Sequence, residues 1–457
     1  MIVERVLACI RAAATGDAPV LAAVSGGRDS MVLLDALVRL RAGGGPAVAV
    51  CHVHHGMRGA EADRDAAFVR ASAGRCGVPF ALARADVPGA RAAAGGSAEA
   101  VARELRYRAL REAADALGPC RVATAHHRRD QAETVLDRML RGAGLAGLGG
   151  MARSRALGPH ELIRPFLSLA PEELDAYARA AGVAFVTDST NLDWRYRRNR
   201  IRLDLLPALR EQYNARVDDA LWRLAETARA DAEWLDACAR EEAGRLFARD
   251  IAGRVCARGA FRALPVALQR RTVKLVLEEL DCQTVWDFAR IEEVRTFASG
   301  PGTGRRQISG RVLCAASAGQ FALHSIPDDQ ESDWPPLDLP VGGSIRLPRF
   351  GWTLTAQTEP APAAFARDPW EAWLAPPAAG RMIARPWRRG DSLRPLGLGG
   401  RKLVSDVLAD AKVPREGRPG YPLLTVGGAV AWIPGLCRGD ACLAAGDAKL
   451  VRVAVVR

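Results

Sequence analysis

The strongest constraint on the fold is an alternation of strand and helix patterns across the first two hundred residues. Short apolar runs at Val20 to Val24, Ala47 to Val53, Pro79 to Ala85 and Val122 to Ala125 alternate with longer amphipathic stretches. Those stretches are Ser30 to Arg41, Glu61 to Cys76, Ser97 to Leu117 and Asp130 to Arg141. In the first of them Met31, Leu34, Leu37 and Val38 recur at three- and four-residue steps, which is helical spacing. Apolar runs separated by helices are the signature of strands buried on both faces. The pattern predicts an α/β fold with a doubly wound parallel sheet and helices on both sides. Ligands of such sheets sit at the carboxyl ends of the strands.

At 457 residues the chain is too long for one ordinary domain. From Pro171 the pattern turns mostly helical, and Asp218 to Phe247 and Pro265 to Leu280 read as long helices. A Pro-rich break runs from Ile326 to Pro340, and beyond it Gly, Pro and Trp accompany short β-like runs such as Ser344 to Leu347 and Ala429 to Ile433. The expected division is a nucleotide-binding domain over 1–212, a helical domain over 213–326 and a small α+β domain over 340–457. No stretch reaches the roughly 18 apolar residues of a membrane span. Glu4, Arg5 and Arg11 interrupt the first apolar run, so a first helix and a cytoplasmic location are expected. Ten scattered cysteines contain no C-x-x-C pair, which predicts reduced thiols and no zinc knuckle.

The net charge of +12 suits a polyanionic partner. Sixty of the 64 basic residues are arginine, a compositional bias, so only clusters of arginine carry weight.

The sharpest local signal is Ser25-Gly26-Gly27-Arg28-Asp29-Ser30, set between a strand and a helix. Two glycines allow a tight turn close to a ligand. Backbone N–H groups, the Ser25 and Ser30 hydroxyls and the helix N-terminus can then grip phosphate oxygens. Asp29 could hold the Mg²⁺ that accompanies a polyphosphate. The plain alternative is a strand-to-helix turn capped by Ser30. The Walker pattern is absent, which disfavours a P-loop phosphotransferase.

This hexamer resembles the PP-loop of the N-type ATP pyrophosphatases, which cleave ATP between the α and β phosphates and transfer AMP to an oxygen. A second segment narrows the choice. In Ala123-Thr-Ala-His-His-Arg-Arg-Asp-Gln-Ala-Glu-Thr134, Asp130, Glu133 and Thr134 share one helical face. Two carboxylates there suit an ammonium compound, although Asp130 as a helix cap and Glu133 facing solvent is an equally simple reading. The segment is similar to the A-T-A-H-H-x-D-D-Q-A-E-T stretch of the lysidine synthetases, with Arg129 where that family usually has its first Asp.

Other stretches agree with that resemblance. Cys51-His-Val-His-His-Gly-Met-Arg58 is similar to the family's H-V-N-H-G-L-R, and His52, His54, His55, His126 and His127 are five of seven histidines. Lining a nucleotide pocket explains them better than a zinc site, because no Cys or carboxylate stands at ligand spacing. Glu99, Arg103 and Arg106 share a helical face, read either as a surface salt-bridge row or as groups orienting ATP or RNA. Trp194-Arg-Tyr-Arg-Arg-Asn-Arg-Ile-Arg202 is the clearest RNA candidate, since like charges so close require a counterion and the aromatic rings could stack on bases. A basic C-terminal run from Arg381 to Lys402 resembles the tRNA-contacting domain of longer family members.

The resemblance implies an enzyme, a ligase that joins free L-lysine to C2 of the wobble cytidine of tRNA(Ile) with a CAU anticodon. Its cofactors would be ATP and Mg²⁺. It places Asp29, His127 and Asp130 in catalysis, residues 25–30 on the nucleotide, Asp29 on the metal, and Asp130 and Glu133 on lysine. Arg106, Arg195, Arg197, Arg198, Arg200, Arg202, Arg388, Arg389 and Arg394 would meet tRNA, and a homodimer is compatible with this reading. The rivals are a tRNA thiolase, which needs a sulfur-carrying Cys pair or an iron–sulfur ligand set, and an RNA-binding protein without turnover.

Overall fold

A computed structural model describes residues 2–54, 56, 59–87, 89–90, 98–186, 197–250, 253–326, 333–348, 350, 352–362, 368–375, 381–413, 415–440 and 450–456. The chain forms two compact units, Met1–Trp234 and Leu235–Arg457. The long helix Val217–Leu246 crosses the boundary between them, a division that differs from the expected break at 212.

In the first unit the alternation becomes α1 (Ile2–Ala13), β1 (Val20–Ala23), α2 (Arg28–Ala42), β2 (Val48–His54), α3 (Ala60–Arg75), β3 (Phe80–Arg84), α4 (Ala98–Asp115), β4 (Arg121–Ala123) and α5 (Arg128–Met139). An unforeseen hairpin, β5 (Ser154–Leu157) and β6 (His160–Ile163), precedes α6 (Pro171–Ala181). The strand order is β3-β2-β1-β4-β6-β5, parallel except for β5 at the edge. One face packs Val6 and Ile10 of α1, Leu33 and Leu37 of α2, Val69 of α3 and Tyr177 of α6 against Val20, Ala22 and Val50. Tyr107, Leu110 and Ala114 of α4 cover the other face at Leu21, Cys51 and Val122. β2 and β4 flank β1, so the order reverses there, and the crevice opens where β1 and β4 end. Both sequence motifs follow those two strands.

The second unit adds to its helices Val266–Leu280 and Phe288–Ser299 a five-stranded antiparallel sheet that the sequence reading missed. Its strands run Ala248–Asp250, Gly253–Ala257, Gln320–Ser325, Val312–Ala316 and Gly304–Gln307 across the sheet. Beyond them a five-stranded and a four-stranded antiparallel sheet enclose Trp334, Trp352, Tyr421 and Trp432. Arg258, only 1% exposed, donates to the carbonyls of Phe297, Ala298, Gly300, Gly302 and Ser317 at 2.6 to 3.0 Å. Arg258→Leu strands these acceptors, each at about 1–3 kcal/mol when buried. It is therefore expected to lower the denaturation midpoint of the chain clearly in a urea titration; an unchanged midpoint would show that water replaces the guanidinium.

Among the described residues no helix is long and apolar enough to cross a membrane.

Candidate active site

The turn after β1 folds on its own serines. Ser25 N–H donates to Ser30 Oγ at 3.2 Å, and Ser30 Oγ donates to the Gly27 carbonyl at 2.8 Å. Gly26 takes φ +97°, a value that only glycine holds without strain, and its carbonyl accepts from Val186 N–H at 3.0 Å. α2 then begins at Arg28, so its first N–H groups face a cavity of about 820 Å³. Ser25, Gly27, Arg28, Asp29 and Ser30 line that cavity, and so do Arg106, His126, His127, Arg129, Asp130, Arg198 and Arg202. A polar turn, a helix N-terminus and cationic side chains around one cavity fit a nucleoside triphosphate.

Asp29 also fits a magnesium site of the kind completed by phosphate oxygens and water, since its carboxylate lines the same wall. Its Oδ1 accepts from Arg28 Nε at 2.8 Å and Oδ2 lies 3.5 Å from His127 Nε2. Burial opposes ionisation of Asp29, but His127 and Arg28 outweigh it and hold the carboxyl below its usual range. Arg28 in turn reaches Asp175 at 2.6 Å.

The α5 segment opens with His127 and Asp130. The Asp130 carboxylate accepts His127 N–H at 3.0 Å and lies 3.5 Å from His127 Nδ1, so Asp130 does cap the helix. Burial disfavours the imidazolium of His127, yet Asp130 and Asp29 on either side raise its pKa. For His126 burial outweighs the pull of Asp130 and, with Arg106 and Arg198 nearby, holds its pKa well below the usual value; its Nδ1 lies 2.9 Å from Thr124 Oγ1. Thr134 donates to the Asp130 carbonyl at 2.8 Å and so serves the helix.

Glu133 does not face solvent. Its side chain is 1% exposed. Arg198 bridges Glu133 and Asp130, with Nε at 2.8 Å and Nη2 at 2.8 Å respectively. Arg202 does the same, with Nε 2.6 Å and Nη2 2.9 Å from Glu133 and Nη2 3.2 Å from Asp130. Arg197 meets Asp137, one turn further along α5, at 2.8 Å. The counterions demanded by the arginine run are therefore Asp130, Glu133 and Asp137, all on one helical face. Within the run Arg197, Arg198 and Arg202 hold carboxylates, whereas Arg200 is exposed. Arg195, with Trp194 and Tyr196, lies outside the described residues, as does His55.

Arg129 lines the cavity and pairs with Glu172 at 2.7 Å. Of the other histidines, His52 Nδ1 lies 2.9 Å from the Val24 carbonyl, and His54 turns to Asp63 at 3.3 Å. No group of three metal-ligating side chains occurs among the described residues. Cys51 lines the cavity, but burial pushes its thiol up to about 11, which makes a poor nucleophile at neutral pH. Arg388, Arg389 and Arg394 are exposed on the second unit, where Arg385 and Asp391 brace the turn through two 2.8 Å contacts.

Sequence reasoning placed Arg103 and Arg106 on one helical face but did not foresee that they gather with Arg155 around Tyr107. Arg103, Arg106 and Arg155 stand 5.2, 5.3 and 4.7 Å from the centre of the Tyr107 ring. Burial alone would raise the phenol, but Arg106, Arg103 and Arg164 bring it down to about 8. Ultraviolet titration should find one tyrosine of the five ionising near pH 8, against about 10 for an ordinary phenol. Arg106→Ala should move that midpoint upward; five ordinary tyrosines would refute the cluster.

A polar glycine-containing turn that opens a helix onto a cavity at the switch point of a parallel sheet is the arrangement of a nucleotide-binding α/β protein. The PP-loop domain family matches residues 2–209, and the TilS substrate C-terminal domain family matches residues 382–455. A tRNA(Ile)-lysidine synthase of Symbiobacterium thermophilum is 35% identical, over 96% of this chain and 94% of that protein. Those of Solibacter usitatus (35%, 91% and 92%) and Geobacter sulfurreducens (34%, 96% and 93%) are similar over comparable spans. The chain belongs to the tRNA(Ile)-lysidine synthase family.

Proposed function

We propose that this chain is an ATP-dependent ligase that converts the wobble cytidine of tRNA(Ile) with a CAU anticodon to lysidine. The cytidine O2 attacks the α-phosphorus of ATP and pyrophosphate leaves. The ε-amine of lysine then attacks C2, the C2–O2 bond breaks, AMP departs with that oxygen, and the amine gives up its proton. The observation that supports this most is that the 25–30 turn and Asp130 line one cavity and are bridged by His127, with Glu133 held behind Asp130 by the same two arginines.

Ser25, Gly26, Gly27 and Ser30 would grip the polyphosphate, and Arg28 and Arg106 would balance its charge. Asp29 would hold Mg²⁺, which supplies neutralisation of the phosphate oxygens when bound. His127 orients both Asp29 and Asp130, and the latter, with Glu133, would take the lysine ammonium. No protein nucleophile is needed, so the rate enhancement comes from positioning and charge stabilisation. The exposed Arg388, Arg389 and Arg394 are assigned to tRNA phosphates.

Incubation with ATP, radiolabelled lysine and a CAU-anticodon tRNA(Ile) transcript tests the assignment. The expected result is lysine in RNA, with AMP and pyrophosphate formed in equal amounts. Sulfur transfer, or RNA binding without pyrophosphate, would overturn it.

A further inference from the structure

The carboxylates assigned to the ammonium are already covered. The short helix Arg197–Arg200 continues into a π-turn, Ile201–Leu205, a rare element that tends to occur at functional positions. Ile201 anchors it against Ala132, Val135 and Leu136 of α5. This places Arg198 and Arg202, one turn apart, over Asp130 and Glu133. The layering is clear: Glu133 and Asp130 are 1% and 11% exposed at their side chains, while Arg198 and Arg202 are 30% and 29% exposed and line the cavity. Asp130 also touches the cavity, but Glu133 does not, so a ligand reaching Glu133 from the cavity meets the guanidiniums first.

Two positive and two negative groups also cancel, so the pair exerts little pull on an ammonium ion. Five N–H···O contacts fill Asp130 Oδ1 and both Glu133 oxygens. For an ammonium to bind Glu133 directly, at least one guanidinium has to leave. Phosphate is the natural competitor for it, because guanidinium binds phosphate and carboxylate with the same bidentate geometry. The neighbouring exposed Arg200 provides a first landing charge.

We propose that Arg198 and Arg202 are positioning residues that act as exchangeable counterions: RNA phosphates draw them off Asp130 and Glu133, and the amino acid then takes their place. Amino-acid affinity is thereby set by RNA occupancy. This rests on the reading that Asp130 and Glu133 hold the ammonium. By reciprocity of coupled binding, lysine must tighten RNA binding by the same factor that RNA tightens lysine binding.

The test is equilibrium dialysis of radiolabelled L-lysine against the full chain, with and without the CAU-anticodon tRNA(Ile) transcript. RNA should lower the lysine Kd by about tenfold, within the usual range of coupling. Arg202→Ala should tighten lysine binding without RNA and shrink the RNA effect, with KM for lysine moving more than kcat, and Arg202→Lys should restore part of the coupling. Equal lysine Kd with and without RNA, or weaker lysine binding in Arg202→Ala, overturns the counterion exchange and leaves the site assignment standing. Lysine binding unaffected by Glu133→Gln overturns the site assignment itself. If Arg202→Ala does not fold, the RNA titration of the unaltered chain and its reciprocal measurement decide alone.

Discussion

Gly26→Val is expected to reduce RNA-dependent pyrophosphate release by about 10³-fold or more while the chain remains folded. Gly26 sits at φ +97°, and a Cβ built there meets Val186 Cγ2 at 3.0 Å and Val69 Cγ2 at 3.4 Å. A β-branched residue held in that conformation costs about 1–3 kcal/mol, so the turn relaxes away from its present path. The relaxation re-aims the N–H groups and serine hydroxyls that would hold phosphate, and losing a single preorganised donor costs about 10²–10³ in rate. The measurement is ATP affinity together with pyrophosphate release. Retained ATP binding with normal turnover would remove the turn from its assigned role.

Asp130→Ala is the second large effect, and it has two separable parts. The carboxylate caps α5, faces His127 and shares two guanidiniums with Glu133. Breaking such a buried cluster from one side costs about 3–5 kcal/mol, which a denaturant titration would read directly. The second part is functional: the KM for lysine should rise at least about tenfold while RNA-dependent pyrophosphate release persists, as for the loss of a hydrogen-bonded charge partner. A stability loss with unchanged lysine KM would reduce Asp130 to a helix cap. Acid titration gives an independent check. Burial opposes ionisation of Asp130, but His127 and Arg198 hold its folded pKa far below the usual carboxylate range. Its stabilising contribution is therefore complete above about pH 4 and is lost as pH falls toward the folded value. The Asp130→Ala chain should show a shallower loss of stability on the acid side.

The parallel core was legible because its strands are buried on both faces and so read as uninterrupted apolar runs. Val20–Ala23 and Val48–His54 fall within a residue of the expected spans. The hairpin Ser154–Ile163 was not legible, since its outer strand is largely exposed and carries no apolar period. Gly304–Gln307 is exposed along its length and joins a sheet only because Val312–Ala316 offers an open edge. In the site, the turn at 25–30 and the helix start at 127–133 were each visible as local patterns. The partnership of Asp130 and Glu133 with Arg198 and Arg202 was not, because those arginines lie 65 to 72 residues further along the chain.

Local order alone therefore determined the α/β scaffold, the glycine–serine turn at 25–30 and the acidic pair on α5: backbone conformation and side-chain periodicity act over a few residues and are written directly in the chain. Tertiary structure decided which charges meet. A carboxylate's partner depends on where distant segments are brought by packing, here by Ile201 seated on α5, and ion pairs over such separations leave no periodic trace in the sequence.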